Sequence, residues 1–412
     1  MFRSVPPSPA DPVYLLSQRV REDTAPGKVD LGVGVYRNEQ GRYHELRALK
    51  AAKRILAQED ANHDYGVTTG NAAFLANAAK LFFGREAEVL SSKRVTSVQA
   101  ISGTGAIHLG ALFLARTPAF AGKKVYVGTP AWGNYVPLFN LVGLEVATYR
   151  HYDAATGKVD FQSVLEATRI AEQGSIFVLQ GCCHNPSGAD FSPAQWDELA
   201  DAMEAKKLFP LFDMAYQGLG SSLDEDAYGL RLFASRGFEL VACQSFSKNF
   251  GLYGERVGVV HALSQDAEVA SKVYESLRCL IRWEFSSSPA YGARLVDIVL
   301  NDDKLRQDWE IELATIQKRL ADNRRALHAE LVEKRQILRC RKARGNWGSI
   351  LSSNGLFCFL PLNPQQCERL AAEFHIHLLQ NGRMNVAGLN RSNIEHVASA
   401  LVEVTNSASS RL

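Results

Sequence analysis

The chain has 412 residues, of which 46% are apolar, 22% charged and 9% aromatic, with Gly at 31 positions. These averages of soluble globular proteins exclude a collagen, a coiled-coil rod and wholesale disorder, and the length predicts roughly two or three domains with a large buried core. Lys and Arg number 46 against 44 Asp and Glu, a net charge of +2 with no long basic run, so neither nucleic acid nor an anionic membrane is expected as a partner.

The first residues, Met1 to Asp11, carry three prolines and no apolar run of the export-signal kind. Residues 1–45 show too little periodicity to stand alone, and are expected to form an arm that packs on a small domain or on a second subunit. The longest uncharged stretch, Val95 to Ala115, would leave Ser97, Ser102 and His108 in hydrocarbon, which rejects a membrane span. Within it, Ser102-Gly-Thr-Gly-Ala106 opens an apolar helix, and a helix amino terminus with a hydroxyl beside it suits a phosphate.

Between about residues 90 and 265, short runs rich in β-formers (Val125 to Val127, Ile176 to Leu179, Leu208 to Phe212, Leu240 to Cys243, Val257 to Val260) alternate with amphipathic segments of helix length. That pattern predicts an α/β domain with a largely parallel sheet. Ligands of such sheets bind beyond the strand carboxyl ends, where Trp132, Asn185, Asp213, Tyr216 and Lys248 fall. Asp302 to about Lys334 lacks Gly and Pro and predicts one long helix or two abutting ones. Beyond it, Gly355 to Pro361, Ile376 to Leu379 and Asn385-Val386 read as short strands before a helix from Asn393, a second and smaller α/β unit. Seven cysteines without a CxxC pair, mostly in apolar runs, suit reduced, buried thiols in a non-secretory protein.

The most informative segment is Gln244-Ser-Phe-Ser-Lys-Asn-Phe-Gly-Leu-Tyr-Gly-Glu-Arg-Val-Gly258. Lys248 lies there between hydroxyls and a Gly-rich turn, with Arg256 eight residues on. Such a lysine can form a Schiff base while its neighbours hold a phosphate, although a lysine in a polar loop taken alone is more often a solvated charge. Asp213 ends an apolar run, where an unpaired buried carboxylate would cost several kcal/mol; it needs a cationic or hydrogen-bonding partner, or it caps a turn. A protonated pyridine nitrogen would be such a partner. Asn185, in Cys183-His-Asn-Pro-Ser-Gly188, could donate to a phenolate oxygen, though Asn-Pro turns are common without function.

Together these segments resemble the fold-type I pyridoxal-phosphate enzymes, the class I aminotransferases and within them the aspartate aminotransferases. The resemblance covers nearly the whole chain. It rests on Leu31-Gly-Val-Gly-Val-Tyr-Arg37, Asn62-His-Asp-Tyr65, Ser102-Gly-Thr-Gly105, Trp132, His184-Asn-Pro186, Asp213-Met-Ala-Tyr216, Ser245-Phe-Ser-Lys-Asn-Phe-Gly-Leu-Tyr253, Arg282 and Gly382-Arg-Met-Asn-Val386. It implies a large domain (46–315) with a mostly parallel seven-stranded sheet between helices, and a smaller α/β domain (316–412) with a polar tail, to which part of residues 1–45 is added. It implies pyridoxal 5'-phosphate as cofactor and no metal.

Residue by residue, the resemblance implies that Lys248 forms the Schiff base and moves the proton between Cα and C4′, that Asp213 pairs with the pyridine nitrogen, and that Tyr216 and Asn185 hydrogen-bond the ring O3′. Trp132 would stack on the ring. Ser102, Gly103, Thr104, Ser245, Ser247 and Arg256 would hold the phosphate, with Tyr65 reaching in from the second subunit of a homodimer. Arg383 would grip the α-carboxylate and Arg282, also from the partner, the distal carboxylate of aspartate or glutamate; Gly34, Trp132 and Asn185 would border the substrate. The implied reaction is ping-pong transamination of L-aspartate with 2-oxoglutarate, giving oxaloacetate and L-glutamate. An aromatic or broad-range aminotransferase on the same scaffold is the first alternative, and a catalytically weakened binding protein the second.

Three departures stand out. Tyr135 and Gln180 occupy positions where the family commonly has histidines, and both are expected to alter the support of Asp213. The segment Asn38 to Ala48 diverges at the substrate entrance. Ser410-Arg411-Leu412 resembles a peroxisomal address, so the expected location is the cytoplasm with a peroxisomal pool. Zinc hydrolases, P-loop NTPases and serine hydrolases find no HExxH, GxxxxGK[ST] or GxSxG.

Overall fold

The computed structural model describes residues 2–8, 10–60, 62–337 and 345–406. Cys340 and the tripeptide Ser410-Arg411-Leu412 lie outside them. The centre of the fold is a seven-stranded sheet: β1 (Val95–Ile101), β2 (Val125–Thr129), β3 (Val146–Arg150), β4 (Ile176–Gln180), β5 (Phe209–Met214), β6 (Leu240–Ser245) and β7 (Val257–Leu263). Their order is β1-β7-β6-β5-β4-β2-β3, and only β7 runs against the others. Five of the seven were legible as β-forming runs.

β1 and β3 were not, for different reasons. β1 carries Thr96, Ser97 and Gln99 inside the sheet, each neutralised by a specific partner: Thr96 donates to Ala270 O (2.6 Å), Ser97 pairs with His261 Nδ1 (2.8 Å) and Gln99 donates to Pro289 O (2.8 Å). β3 is an edge strand with mixed exposure, so it has no continuous apolar run.

Alternate residues of the inner strands face two helical layers, as the strand period of two demands. Leu211, Val241, Cys243 and Val260 join the core with helices Ser102–Ala115 and Ala267–Glu284. Phe212, Ala242 and Val259 join the other, with helices Ala72–Phe83, Pro193–Ala205, Tyr228–Ser235 and Tyr291–Asn301. Burying a side chain of Leu or Phe size contributes about 1.5–3 kcal/mol, so the two cores fix strand register and hence which loops meet at the sheet edge.

The predicted long helix is Asp303–His328, capped by Asp302 and continued as a π-helical turn to Lys334. The expected boundary at residue 315 falls inside this unbroken helix. The small unit holds an antiparallel pair, Phe357–Phe359 with Arg383–Asn385, and helices Pro364–Phe374 and Ile394–Asn406. Of residues 1–45, helix Pro12–Glu22 is capped by Asp11, with Pro12 at its first position, and Val29–Asp30 pairs in parallel with Ile376–His377 of the small unit. Among the described residues no helix is long and apolar enough to cross a membrane. The six described cysteines are free thiols, five of them buried.

Candidate active site

The carboxyl ends of β1, β2, β4, β5 and β6 open into one cleft. It is lined by Ser102, Gly103, Thr104, Trp132, Asn185, Asp213, Tyr216, Ser245, Lys248 and Arg256, with Ile107, Gln180 and Ala215 completing the wall. Arg256 reaches the same edge because β7 is antiparallel and begins where its neighbours end. Ser247 sits just behind, its Oγ 2.8 Å from Ser102 Oγ, with Ser245 Oγ 3.4 Å from Ser102 Oγ on the other side. Ser102 is held at positive φ (60°), its N–H donating to Arg256 O, and its backbone lies so close to Gly258 that a Cβ there would stand 2.5 Å from the Ser102 carbonyl carbon. The hydroxyl cluster at the start of helix Ser102–Ala115, with Arg256 beside it, is therefore rigidly built and suits a phosphate.

At the cleft floor Asp213 is buried, and burial pushes its carboxyl up to about 6 despite the donor hydroxyl of Tyr135 at 2.5 Å and the nearby Lys248 charge. A carboxylate in that position is stabilised by a cation, and a ring N–H⁺ supplies one. Burial pushes Lys248 the opposite way, below the ordinary lysine range, with the Asp213 charge opposing and Arg256 and Arg383 reinforcing. Its Nζ lies 5.2 Å from the centre of the Tyr216 ring. Burial raises the Tyr216 hydroxyl above its usual range, and the Arg383 charge acts against that rise. The cleft thus holds a lysine biased toward the neutral amine, the form that attacks a carbonyl.

Arg383, on the small unit, is buried beside Asn185 of the cleft wall. Nη1 donates to Asn185 Oδ1 (3.1 Å), Nη2 to Gly32 O (2.7 Å), and the guanidinium lies 4.3 Å over the Phe357 ring. Its Nε is buried with no partner, and burial lowers the guanidinium's basicity. A buried orphan donor is costly unless a ligand meets it, and a carboxylate fits the fork. Gly34 lies outside the cleft wall, against the other side of Phe357, where a Cβ would come 2.9 Å from the ring. Phe357 and Gly32 were missed in sequence; only the contact geometry reveals them.

Besides Gly34, two expected residues stand away from this cleft and are exposed. Tyr65 is 91% exposed, and Arg282 is exposed at the end of helix Ala267–Glu284, where it donates to Ser286 Oγ at 2.5 Å. The Asn38–Ala48 segment folds over the lysine loop: Tyr43 donates to Gly251 O at 3.0 Å, and Tyr253 Oη accepts from Tyr36 N at 2.8 Å.

One expectation is corrected. Gln180 does not support Asp213. Its Oε1 accepts from Asn185 N (2.8 Å) and its Nε2 donates to Asn185 O (3.1 Å), because the chain turns back toward the strand end within five residues. Tyr135 alone of the two departures touches Asp213.

A family model for aminotransferase class I and II matches residues 26–401. The chain is 42% identical over 98% of its length, and 97% of the relative's, to aminotransferase tasG of Hapsidospora irregularis. It is 39% identical to the mitochondrial aspartate aminotransferase of Dictyostelium discoideum, covering 98% of this chain and 93% of that one. In structure it is similar to the aromatic-amino-acid aminotransferase of Burkholderia pseudomallei covalently bound to pyridoxal phosphate, with a TM-score of 0.92 at 36% identity and coverage of 98% and 99%. The chain belongs to the class I and II aminotransferases, and it is a pyridoxal-phosphate-dependent transaminase.

Proposed function

We propose that the chain is an aspartate aminotransferase, exchanging the amino group of L-aspartate with 2-oxoglutarate to give oxaloacetate and L-glutamate by a ping-pong cycle. The observation that carries this reading is the buried guanidinium of Arg383, whose Nε is unmatched and whose Nη1 bonds Asn185 of the lysine cleft. It suits an α-carboxylate, which every amino-acid substrate carries, so the choice of aspartate rests on the second arginine. Arg282, exposed and outside its own cleft, supplies a second fork for a distal carboxylate when two copies of the chain face each other. Tyr65, equally exposed, would join the phosphate site across the same interface. A homodimer is part of the proposal.

When bound, pyridoxal phosphate supplies an electron sink for the pair released as the substrate Cα–H bond breaks. The chain's own groups do the rest. Asp213, buttressed by Tyr135, would pair with the ring nitrogen and keep it protonated. Ser102, Thr104, Ser245, Ser247 and Arg256 would hold the phosphate, while Tyr216 and Asn185 would hydrogen-bond the phenolate oxygen. Lys248, a buried amine of lowered basicity, would take the Cα proton and return it on the other side of the exchange. Trp132 closes one face of the cleft.

A second reading is an aromatic or broad-range aminotransferase. Arg282 has an exposed position with a serine hydroxyl as its hydrogen-bond partner, so it can swing aside for an uncharged side chain. The product assay separates the two: with aspartate and 2-oxoglutarate, a malate dehydrogenase couple should report oxaloacetate, and phenylalanine should yield far less phenylpyruvate. No oxaloacetate from cofactor-loaded protein would overturn the proposal.

A further inference from the structure

Asn185 stands at a junction. Its side-chain oxygen accepts from Arg383, which leaves its side-chain N–H₂ as the donor available to the cleft. The loop carrying it is pinned at several points. Asp190 accepts from the N–H groups of Cys183 and His184, both at 2.8 Å, and Asn354 N donates to Gly188 O. Neither contact reaches residue 185 itself. Both polar groups of the Asn185 backbone go instead to the Gln180 side chain, through a reciprocal pair of hydrogen bonds.

We propose that Gln180 is a positioning residue for substrate carboxylate binding: its two-point clamp on the Asn185 peptide sets the Asn185 amide and, through it, the Arg383 fork. The inference rests on the reading of Arg383 as the α-carboxylate site. Gln180 ends β4 directly beside Asp213 of β5, so the clamp is anchored in the rigid sheet. Arg383 has few other constraints in its plane: Gly32 O takes Nη2, Phe357 supports the flat face, and Nε is free for the ligand. Without Asn185 Oδ1 the fork would rotate toward Gly32. The α-carboxylate is common to every amino-acid substrate, so Gln180 governs affinity for all of them alike, unlike a residue that reads the side chain.

The test uses the cofactor-loaded enzyme. Gln180→Met keeps the length of the side chain and removes both hydrogen bonds. It is expected to raise KM for aspartate and for phenylalanine by the same factor, about tenfold for the loss of two part-buried hydrogen bonds to the Asn185 backbone, with kcat per cofactor-loaded site changed by less than about threefold. The calorimetric dissociation constant of succinate, a dicarboxylate with no amino group, is expected to rise by that factor too. Gln180→Glu keeps the acceptor for Asn185 N–H and loses the donor to its carbonyl, and should fall between wild type and Gln180→Met. Michaelis and succinate constants equal to wild type in both variants overturn the proposal, as does a rise confined to one of the two amino acids. Arg383→Ala separates this failure from failure of the underlying reading: if it too leaves KM unchanged, Arg383 is not the carboxylate site and the Gln180 role falls with it.

Discussion

Tyr135 donates its hydroxyl to Asp213 Oδ2 at 2.5 Å, with both side chains buried beneath the cleft. The phenol is a neutral donor whose own ionisation is pushed far up by burial and by the Asp213 charge. It orients the carboxylate without neutralising it, which leaves Asp213 able to pair with a positive charge brought by the cofactor ring. The same phenol meets Trp132 edge-to-face, with ring centres 5.3 Å apart, tying the floor of the cleft to the residue that covers it.

Asp213 therefore makes the cofactor-free protein sensitive to pH. Its carboxyl is pushed up to about 6 in the folded chain, mainly by burial, against about 3.9 when unfolded. The folded state holds the proton more tightly, so this contribution to stability is complete below pH 4 and is lost as pH rises through 6. The whole change is about 3 kcal/mol. Urea unfolding of cofactor-free protein should show Asp213→Asn more stable than wild type at pH 7.5, with the gap closing near pH 4. With cofactor bound the order should reverse.

Lys248→Ala removes the amine that links to the cofactor and moves the Cα proton. Turnover should drop by at least about 10⁴-fold, the upper range for a general base, and the visible absorbance of the lysine-linked cofactor should vanish. An active Lys248→Ala protein with an unchanged spectrum would place the chemistry elsewhere.

Arg282→Asp replaces a cationic fork by a like charge facing the distal carboxylate of the substrate. kcat/KM for aspartate should fall about 100-fold or more while that for phenylalanine changes little. Equal losses on both substrates would mean that Arg282 does not read the side chain.

Arg324 links the long helix to the small unit. It is 4% exposed and donates to Ser353 Oγ and to the carbonyls of Gly355 and Phe357. Arg324→Met would take this donor from the Gly355 and Phe357 carbonyls, costing about 2–4 kcal/mol in urea unfolding. Because Phe357 supports Arg383, KM for both amino acids should rise as well; an unchanged Tm and KM would show that the strand holds itself.

Much of this was legible in the residues, and the exceptions have identifiable causes. Asp213 and Lys248 each had an ordinary reading taken alone, a turn cap and a solvated charge; the fold brings both to the wall of one cleft. β1 hid because its polar residues are satisfied by partners as distant in sequence as Pro289 and Ala270, information that no local window holds. The amino-terminal helix was readable from Asp11 and Pro12, a cap and a first-turn proline, but its short amphipathic pattern was passed over. Gln180 was misassigned for a geometric reason: it neighbours Asp213 across the sheet, yet its side chain turns back along its own strand to the Asn185 peptide. Adjacency in register does not fix where a flexible amide points.

The most direct measurement is kcat/KM of the cofactor-loaded wild-type protein for aspartate and for phenylalanine, each with saturating 2-oxoglutarate. A two-arginine site predicts a preference for aspartate of at least about 100-fold, the worth of one charged fork. Comparable values for the two amino acids would contradict it and make Arg282 a bystander.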